Sequence, residues 1–283
     1  MSFLHQQIDS PLGRWTMTEW RPPHLAGLVE FLWHFEGRMT YLRERVFPNG
    51  LLEIILHLDA RYRLVEGSGS PALCPTACVG GLHTSPFVVE APAHFCRVIG
   101  VRLRPVGAYA VLGDAVPEMR GLTVDLQDVA GRAALELVER CQAAETPEDR
   151  LRLAAAWVEE RAVRSPGVDP AIAWIARQIE RTDGAVSIAG LREQAGQSKT
   201  RLAAAFREQI GVPAKVYARI LRFRRALARL DDGLPLADLA VEAGYYDQPH
   251  MNAEFRELSG CTPRELRAAL RYAGSTSVAE AAS

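Results

Sequence analysis

The sequence predicts a multidomain α+β protein. A β-rich N-terminal domain of sandwich or barrel type, with trailing helices, precedes an all-α domain built on two helix–turn–helix units. Three observations carry this. Short apolar runs between residues 41 and 103 are separated by turn-formers, as in a small antiparallel sandwich or barrel. After Arg104 the pattern changes to Ala- and Leu-rich amphipathic stretches. Between Ser187 and Pro263 a short helix, a glycine-containing turn and a second helix occur twice.

Composition bounds the function. A chain of 283 residues has material for two cores. No apolar run is long enough to cross a membrane, and the first residues lack the basic start and apolar block of a signal peptide. Five scattered cysteines, an odd number, argue against a disulfide framework and for a reducing cytoplasm. The net charge of −1 hides an asymmetry: residues 171–273 hold 16 Lys and Arg against 12 Asp and Glu, the remainder 17 against 22. A basic C-terminal part suits a polyanionic partner, although solvated helical faces often show the same excess.

Along the chain, Leu25, Leu28, Val29 and Leu32 fall at helical spacing, so Pro22–Glu36 reads as a short helix feeding an aromatic strand. Strands are expected at Tyr41–Phe47, Leu51–Leu58, Arg61–Glu66, Ala77–Leu82, Pro86–Ala91 and Phe95–Leu103. Helices are expected from Pro105, at Val129–Ala143 and at Pro147–Arg164. The segment Ser165–Pro170 is the clearest linker, with Asp169 capping a new helix and Pro170 at its first position. This places the first domain at 1–165 and the second at 170–273. The small, polar segment 274–283 is expected to be disordered.

In the first unit Ile188, Leu191, Ala195, Leu202 and Phe206 supply the contacts between crossed helices, with Gly196 in the turn and Ser198 as N-cap. In the second, Leu236, Leu239, Ala240, Ala243, Met251 and Phe255 do so, with Gly244 in the turn and Asp247 as cap. Lys199, Thr200 and Arg201 are left facing outward in one unit, and Gln248, His250, Asn252 and Arg256 in the other. A helix over 213–231 joins them, carrying the apolar stripe Val216, Ile220, Phe223, Leu227 and Leu230, with Arg219, Arg222, Arg225 and Arg229 on its other faces. Nineteen residues span about 28 Å. That approaches the roughly 34 Å between successive major grooves on one face of B-DNA, so one chain could read two half-sites.

Ala243-Gly244-Tyr245, Asp247-Gln248, Phe255-Arg256 and Gly260-Cys261-Thr262-Pro263, with the linker helix before them, resemble the AraC/XylS family of bacterial transcription regulators. The resemblance covers roughly a hundred residues and implies a seven-helix DNA-binding domain with recognition helices at Ser198–Glu208 and Asp247–Leu258. Trp33, Phe47–Ile55 and Gly100–Pro105 are similar to a sensor-like domain found in front of such pairs, which implies effector sensing or dimerisation. Arg192 and Gln197 depart from the family pattern in the first unit. Ala253 and Glu254 make the second recognition face look poor in positive charge, so the first recognition helix is expected to supply more of the affinity.

Arg201 and Arg207 are suited to guanine, Gln248 and Asn252 to adenine, and Lys199 to phosphate; Arg256 completes the preferred base-reading set. Ser198, Thr200 and Asp247 serve equally well as caps. For a small polar effector the candidates are Trp33, Glu53, His57, Arg102 and Arg104. The bland alternative places Trp33 in the core and points the charged side chains outward. Cys74, Cys78, Cys96, His83 and His94 invite a metal reading, but no second tight pair completes a ligand set, and buried thiols are favoured. No metal or cofactor is expected. The expected partners are promoter double-stranded DNA and a small effector, with RNA polymerase and a second copy of the chain as further candidates and no membrane.

The leading function is a DNA-binding regulator without enzymatic activity, activator or repressor left open. The rival is an enzyme with a helix–turn–helix module. A DNA-repair methyl acceptor would need an activated thiol, and Cys141 and Cys261 lack the setting for one. A cupin-like metal enzyme would need a His-x-His pair that the sequence does not contain.

Overall fold

The computed structural model describes residues 2–65, 70–165, 167–269 and 277–279. In chain order the strands are β1 (Leu4–Ser10), β2 (Gly13–Trp20), β3 (Val29–Met39), β4 (Arg43–Val46), β5 (Leu52–His57), β6 (Arg63–Val65), β7 (Ala72–Leu73), β8 (Ala77–Gly80), β9 (Phe87–Glu90), β10 (Cys96–Leu103), β11 (Thr123–Asp125) and β12 (Ser277–Ala279). They form two antiparallel sheets, one ordered β1-β2-β3-β10-β5-β8-β11 and the other β12-β4-β9-β6-β7. The six strands expected from the sequence are all present, within one or two residues at most ends.

Two expectations need correction. Pro22–Glu36 is not a helix feeding a strand: a single 3-10 turn at Pro23–Leu25 leads into the eleven-residue β3. The helical spacing was deceptive because Leu25 sits in that turn and a register shift beside Leu103 brings Val29 into the same core as Leu32. Leu32 is buried toward the helices, while Phe31, Trp33 and Phe35 line the space between the sheets. The tail is not wholly irregular either: Ser277–Ala279 pairs with β4, Ser277 opposite Val46 and Ala279 opposite Glu44. The rest of the tail, and the end of the second expected domain, lie outside the described residues.

The helices are α1 (Pro105–Leu112), α2 (Leu126–Ala130), α3 (Arg132–Ala143), α4 (Pro147–Val163), α5 (Pro170–Arg181), α6 (Ile188–Gln194), α7 (Lys199–Ile210), α8 (Ala214–Ala228), α9 (Leu236–Glu242), α10 (Gln248–Ser259) and α11 (Pro263–Ala268). Local chemistry starts them. Thr146, Asp169, Ser187, Ser198, Asp247 and Thr262 each accept a backbone N–H from the first turn they cap, and Thr262 with Glu265 forms a full capping box. The linking helix α8 has 15 residues, shorter than 213–231, because Pro213 stands at its N-cap and Arg229 ends it. Its length is therefore about 22 Å.

One buried core runs through both parts of the chain. Leu32, Ile54, Val79, Ile99 and Val101 join it from the first sheet, α3 and α4 from behind that sheet, and Phe206, Tyr217, Phe223 and Phe255 from the helices beyond. Helix α1 packs against α4 on one side and α5 and α7 on the other. Phe47 meets Phe223 edge-on at 6.2 Å. Gly50, in the Pro48-Asn49-Gly50 turn, has φ +78°, and a Cβ there would lie 2.8 Å from Leu221 of α8. The turn thus needs glycine both for its backbone and for its approach to the helix.

Candidate functional site

The first helix–turn–helix unit is α6, the turn at Gly196 (φ +63°) and α7. Leu191, Leu202, Phe206 and Ile210 are buried, which leaves Lys199, Thr200, Arg201, Ala203, Ala204, Arg207 and Glu208 exposed along α7. Ser198 Oγ accepts the Arg201 N–H at 3.2 Å, so its capping role is occupied. Arg201 also sits 3.5 Å from Asp169, the cap of α5. Among the described residues Lys199 and Arg207 have no ion-pair or hydrogen-bond partner through their side chains, and both stand free at the surface.

The second unit is α9, the turn at Gly244 (φ +83°) and α10. Leu239, Ala240, Ala243, Met251 and Phe255 are buried as the pattern requires, while Leu236 is only partly so. Asp247 Oδ1 accepts the His250 N–H at 2.8 Å. His250 and Arg256 are exposed; Gln248 and Asn252 are half-buried, and the Asn252 Oδ1 is buried without a protein partner among the described residues.

Glu254 is not on the outer face. It is 5% exposed and accepts from Arg219 Nε at 2.8 Å and from an Arg222 terminal nitrogen at 3.3 Å, both on α8. The apparent acidity of the second recognition face therefore disappears, since Glu254 is spent inside the domain. Hydrogen bonding to Glu257, offset in part by burial, and the Glu254 contact hold the Arg219 pKa above its ordinary value. The other α8 arginines are also paired: Arg224 with Glu30, Arg225 with Asp183, and Arg229, at the end of α8, with Asp232 and Glu242.

Sequence reasoning missed Tyr246, which is 90% exposed in the turn just before the cap of α10. The signal was the Tyr245-Tyr246 pair: Tyr245 is buried at the turn, so its neighbour must point out.

In the N-terminal part a cavity of about 530 Å³ lies between the two sheets. Three rows of residues on one face of the first sheet line it, and the register explains which. Met17, Phe35, Val98 and His57 form one row, Glu19, Trp33, Ile55 and Cys78 a second, and Phe31, Arg102, Glu53 and Gly80 a third. On the opposite wall Glu44, Val89 and Leu64 are neighbours across β4, β9 and β6, and Ser277 and Ala279 of β12 close the edge. Trp33 lies flat over Gly100, where a Cβ would come within 2.0 Å of the indole.

Four of the five effector candidates, Trp33, Glu53, His57 and Arg102, meet at this cavity. Trp33 Nε1 donates to Glu53 Oε1 at 2.7 Å, and Arg102 Nε donates to the same oxygen at 2.9 Å while its guanidinium lies 4.8 Å over the Phe31 ring. The outward orientation expected from simple alternation is thus replaced by an inward one. Arg104 does not belong to the group. It lies beyond the end of β10, and it donates to the Ala26 carbonyl at 3.1 Å and to Glu180 of α5 at 3.3 Å, as a strut between the two parts.

Burial sets the remaining chemistry. It lowers the His57 pKa and takes that of His83 down to about 4, so both rings are neutral at pH 7. Cys74, Cys78, Cys96 and Cys141 are buried thiols, and burial pushes Cys96 and Cys141 up to about 11. Among the described residues no group of three His, Cys, Asp or Glu is placed to hold a metal ion, and no helix is long and apolar enough to cross a membrane.

Two capped helix–turn–helix units on one linking helix, behind a cavity-bearing β sandwich, define the class of molecule. Residues 191–269 match the helix-turn-helix domain family. Residues 21–125 match a domain of unknown function (DUF6597). Over 111 residues the chain is 30% identical to the putative HTH-type transcriptional regulator YkgA of Escherichia coli (strain K12), a match covering 38% of this chain and 45% of the relative. The chain thus spans less than half the length of the curated relative it matches. Similar solved structures include ToxT from Vibrio cholerae O395 (10% identity, 84% of this chain, 97% of that chain, TM-score 0.47). The C-terminal domain of AraT, a response regulator from Geobacillus stearothermophilus, is 18% identical over 36% of this chain and 86% of that chain, with a TM-score of 0.34.

Proposed function

We propose that the chain is a sequence-specific DNA-binding transcription regulator, with α7 and α10 entering two adjacent major grooves and a small effector in the sandwich cavity controlling them. The observation that carries the reading is the exposure pattern of the two recognition helices. Each buries its apolar side on its own unit and turns polar side chains outward, Lys199, Arg201 and Arg207 on α7 and His250 and Arg256 on α10, with its N-terminus already capped. Lys199 and Arg207, free of protein partners among the described residues, suit phosphate or guanine; Arg201, Thr200, Gln248, His250, Asn252 and Arg256 are the further contacts, and Ser198 and Asp247 add caps at the groove edge. Tyr246 joins them as a contact to sugar or phosphate.

An effector acts only through differential affinity for two arrangements of the protein. The shared core gives it a route: Phe47 and Asn49 line the cavity, and the same turn rests on α8. Promoter DNA is the partner of this reading, RNA polymerase the machinery it acts on, and the cytoplasm its compartment; a second copy of the chain is a further partner to test. The rival methyl-acceptor reading is disfavoured because burial raises the Cys141 pKa, the opposite of thiolate activation.

The test is a gel-shift series with genomic fragments and random duplexes over a range of salt. Retention of a subset of fragments at salt that releases random duplex supports the reading; equal, fully salt-labile binding to all of them overturns it.

A further inference from the structure

Two polar groups on the cavity wall are left unbalanced, the Glu44 carboxyl and the His83 ring. Of the three carboxylates there, Glu19 pairs with Arg21 at 2.7 Å and Glu53 with Arg102 at 2.9 Å. Glu44 has no cation beside it among the described residues. Its carboxylate accepts from the Tyr41 hydroxyl at 3.3 Å and from the Ser277 hydroxyl of β12, both neutral donors. On the same cavity, His83 is stacked on Phe87 at 4.1 Å, and its buried Nε2 has no protein partner among the described residues. A neutral imidazole can accept a hydrogen bond there. Around these two acceptors stand the rings of Trp15, Trp33, Phe31, Phe35, Tyr62 and Phe87, whose π faces attract cations. An anion would find the opposite: Arg102 is already committed to Glu53 and to the Phe31 ring.

We infer that the cavity binds a protonated amine carried on an apolar, drug-sized body, with the Glu44 carboxylate as counter-charge and His83 Nε2 as a hydrogen-bond acceptor. This rests on the proposed effector reading and gives it a ligand class. Burial raises the Glu44 pKa, against the opposing pull of the Ser277 and Tyr41 hydrogen bonds, and a cation bound beside it would favour its ionised form. Because Ser277 and Ala279 belong to the C-terminal strand, a ligand on Glu44 also touches the segment that follows the second helix–turn–helix unit.

The experiment titrates the full chain with three probes that share one body, 4-phenylbutylamine, 4-phenylbutanol and 4-phenylbutyrate, and follows the fluorescence of Trp15 and Trp33. The amine is expected to bind at least about tenfold tighter than the other two at pH 7, as a charge-assisted hydrogen bond would give. Glu44→Gln should bring the amine to the level of the alcohol and leave the alcohol unchanged, with the far-UV circular dichroism of the wild type. The selectivity of the wild-type protein decides by itself should that variant fail to fold. Tighter binding of the acid or the alcohol, or an amine preference that survives Glu44→Gln, overturns the ligand class while leaving a small-molecule site in place. Failure of all three probes to bind overturns the ligand class and counts against the effector reading too. Gel shifts on the same preparation report separately on DNA binding.

Discussion

At the scale of single residues, the free cations of α7 and the buried charges of α10 make opposite forecasts. Arg207 and Lys199 hold no protein partner among the described residues, so Arg207→Ala or Lys199→Ala should weaken DNA binding with little change in stability. Each cation that neutralises a phosphate adds about 0.9 to the slope of log affinity against log salt, so its removal should lower the slope by that much. An unchanged slope for both variants would remove them from the phosphate set. Arg201 is already near Asp169, and Asn252 is half-buried with an oxygen that has no protein partner among the described residues, so their variants compare the two helices directly. Arg201→Ala is expected to cost more affinity than Asn252→Ala if the first recognition helix dominates; the reverse order would count against that. Glu254→Ala should instead damage the fold. It removes the buried carboxylate that Arg219 and Arg222 share, at a cost of roughly 2 kcal/mol in urea unfolding, the scale of a hydrogen bond to a charged group.

Titration also acts residue by residue. Burial, with Arg150 adding to it at the first site, holds the pKa of His34 at about 4, and burial alone does so for His83. Their ordinary pKa is 6.5. Between those values the unfolded chain takes up protons that the folded chain refuses, so stability should fall as pH drops from about 6.5 toward 4. His83→Phe keeps a ring on Phe87 and should flatten part of that slope in melting temperature against pH; an unchanged slope would show that His83 titrates normally.

At the scale of elements, the helical part was legible because its signals are local. A cap, an apolar stripe and a glycine at the turn sit within a dozen residues of each other, and Ser198, Gly196, Asp247 and Gly244 all take the positions that these rules assign. The β part was legible strand by strand for β4 to β6 and β8 to β10. It was not legible where a register shift interrupts the alternation, as at the start of β3, or where nearly every residue is exposed, as in β1. The cavity was least readable. Arg102 faces Glu53, and Trp33 faces Gly100, only through register across strands that lie far apart in sequence. Candidates could be nominated by residue type, but the exclusion of Arg104 and the importance of Glu44 needed the pairing of sheets.

At the scale of the whole molecule, a division at residues 165–170 competes with a core that continues across it. Phe47 on Phe223, Gly50 on Leu221, and Arg104 with Tyr217 on Glu180 tie the sandwich to the helices. Thermal unfolding of the full chain is therefore expected as one transition. Gly50→Ala, strained at positive φ and pressed on Leu221, should loosen that union and split or broaden the transition; two well-separated transitions in the wild type would mean that the parts fold independently. The same junction is the path by which a cavity ligand would bias the spacing of α7 and α10.

On the proposed reading, α7 and α10 enter adjacent grooves on one face of the duplex. Hydroxyl-radical footprinting of a retained genomic fragment tests it most directly. Two protected patches on the same face, about one helical turn or roughly 10.5 base pairs apart, are expected, the patch under α7 vanishing first in a Lys199→Ala, Arg207→Ala double variant. A single patch, or protection spread evenly along the fragment, would contradict the claim.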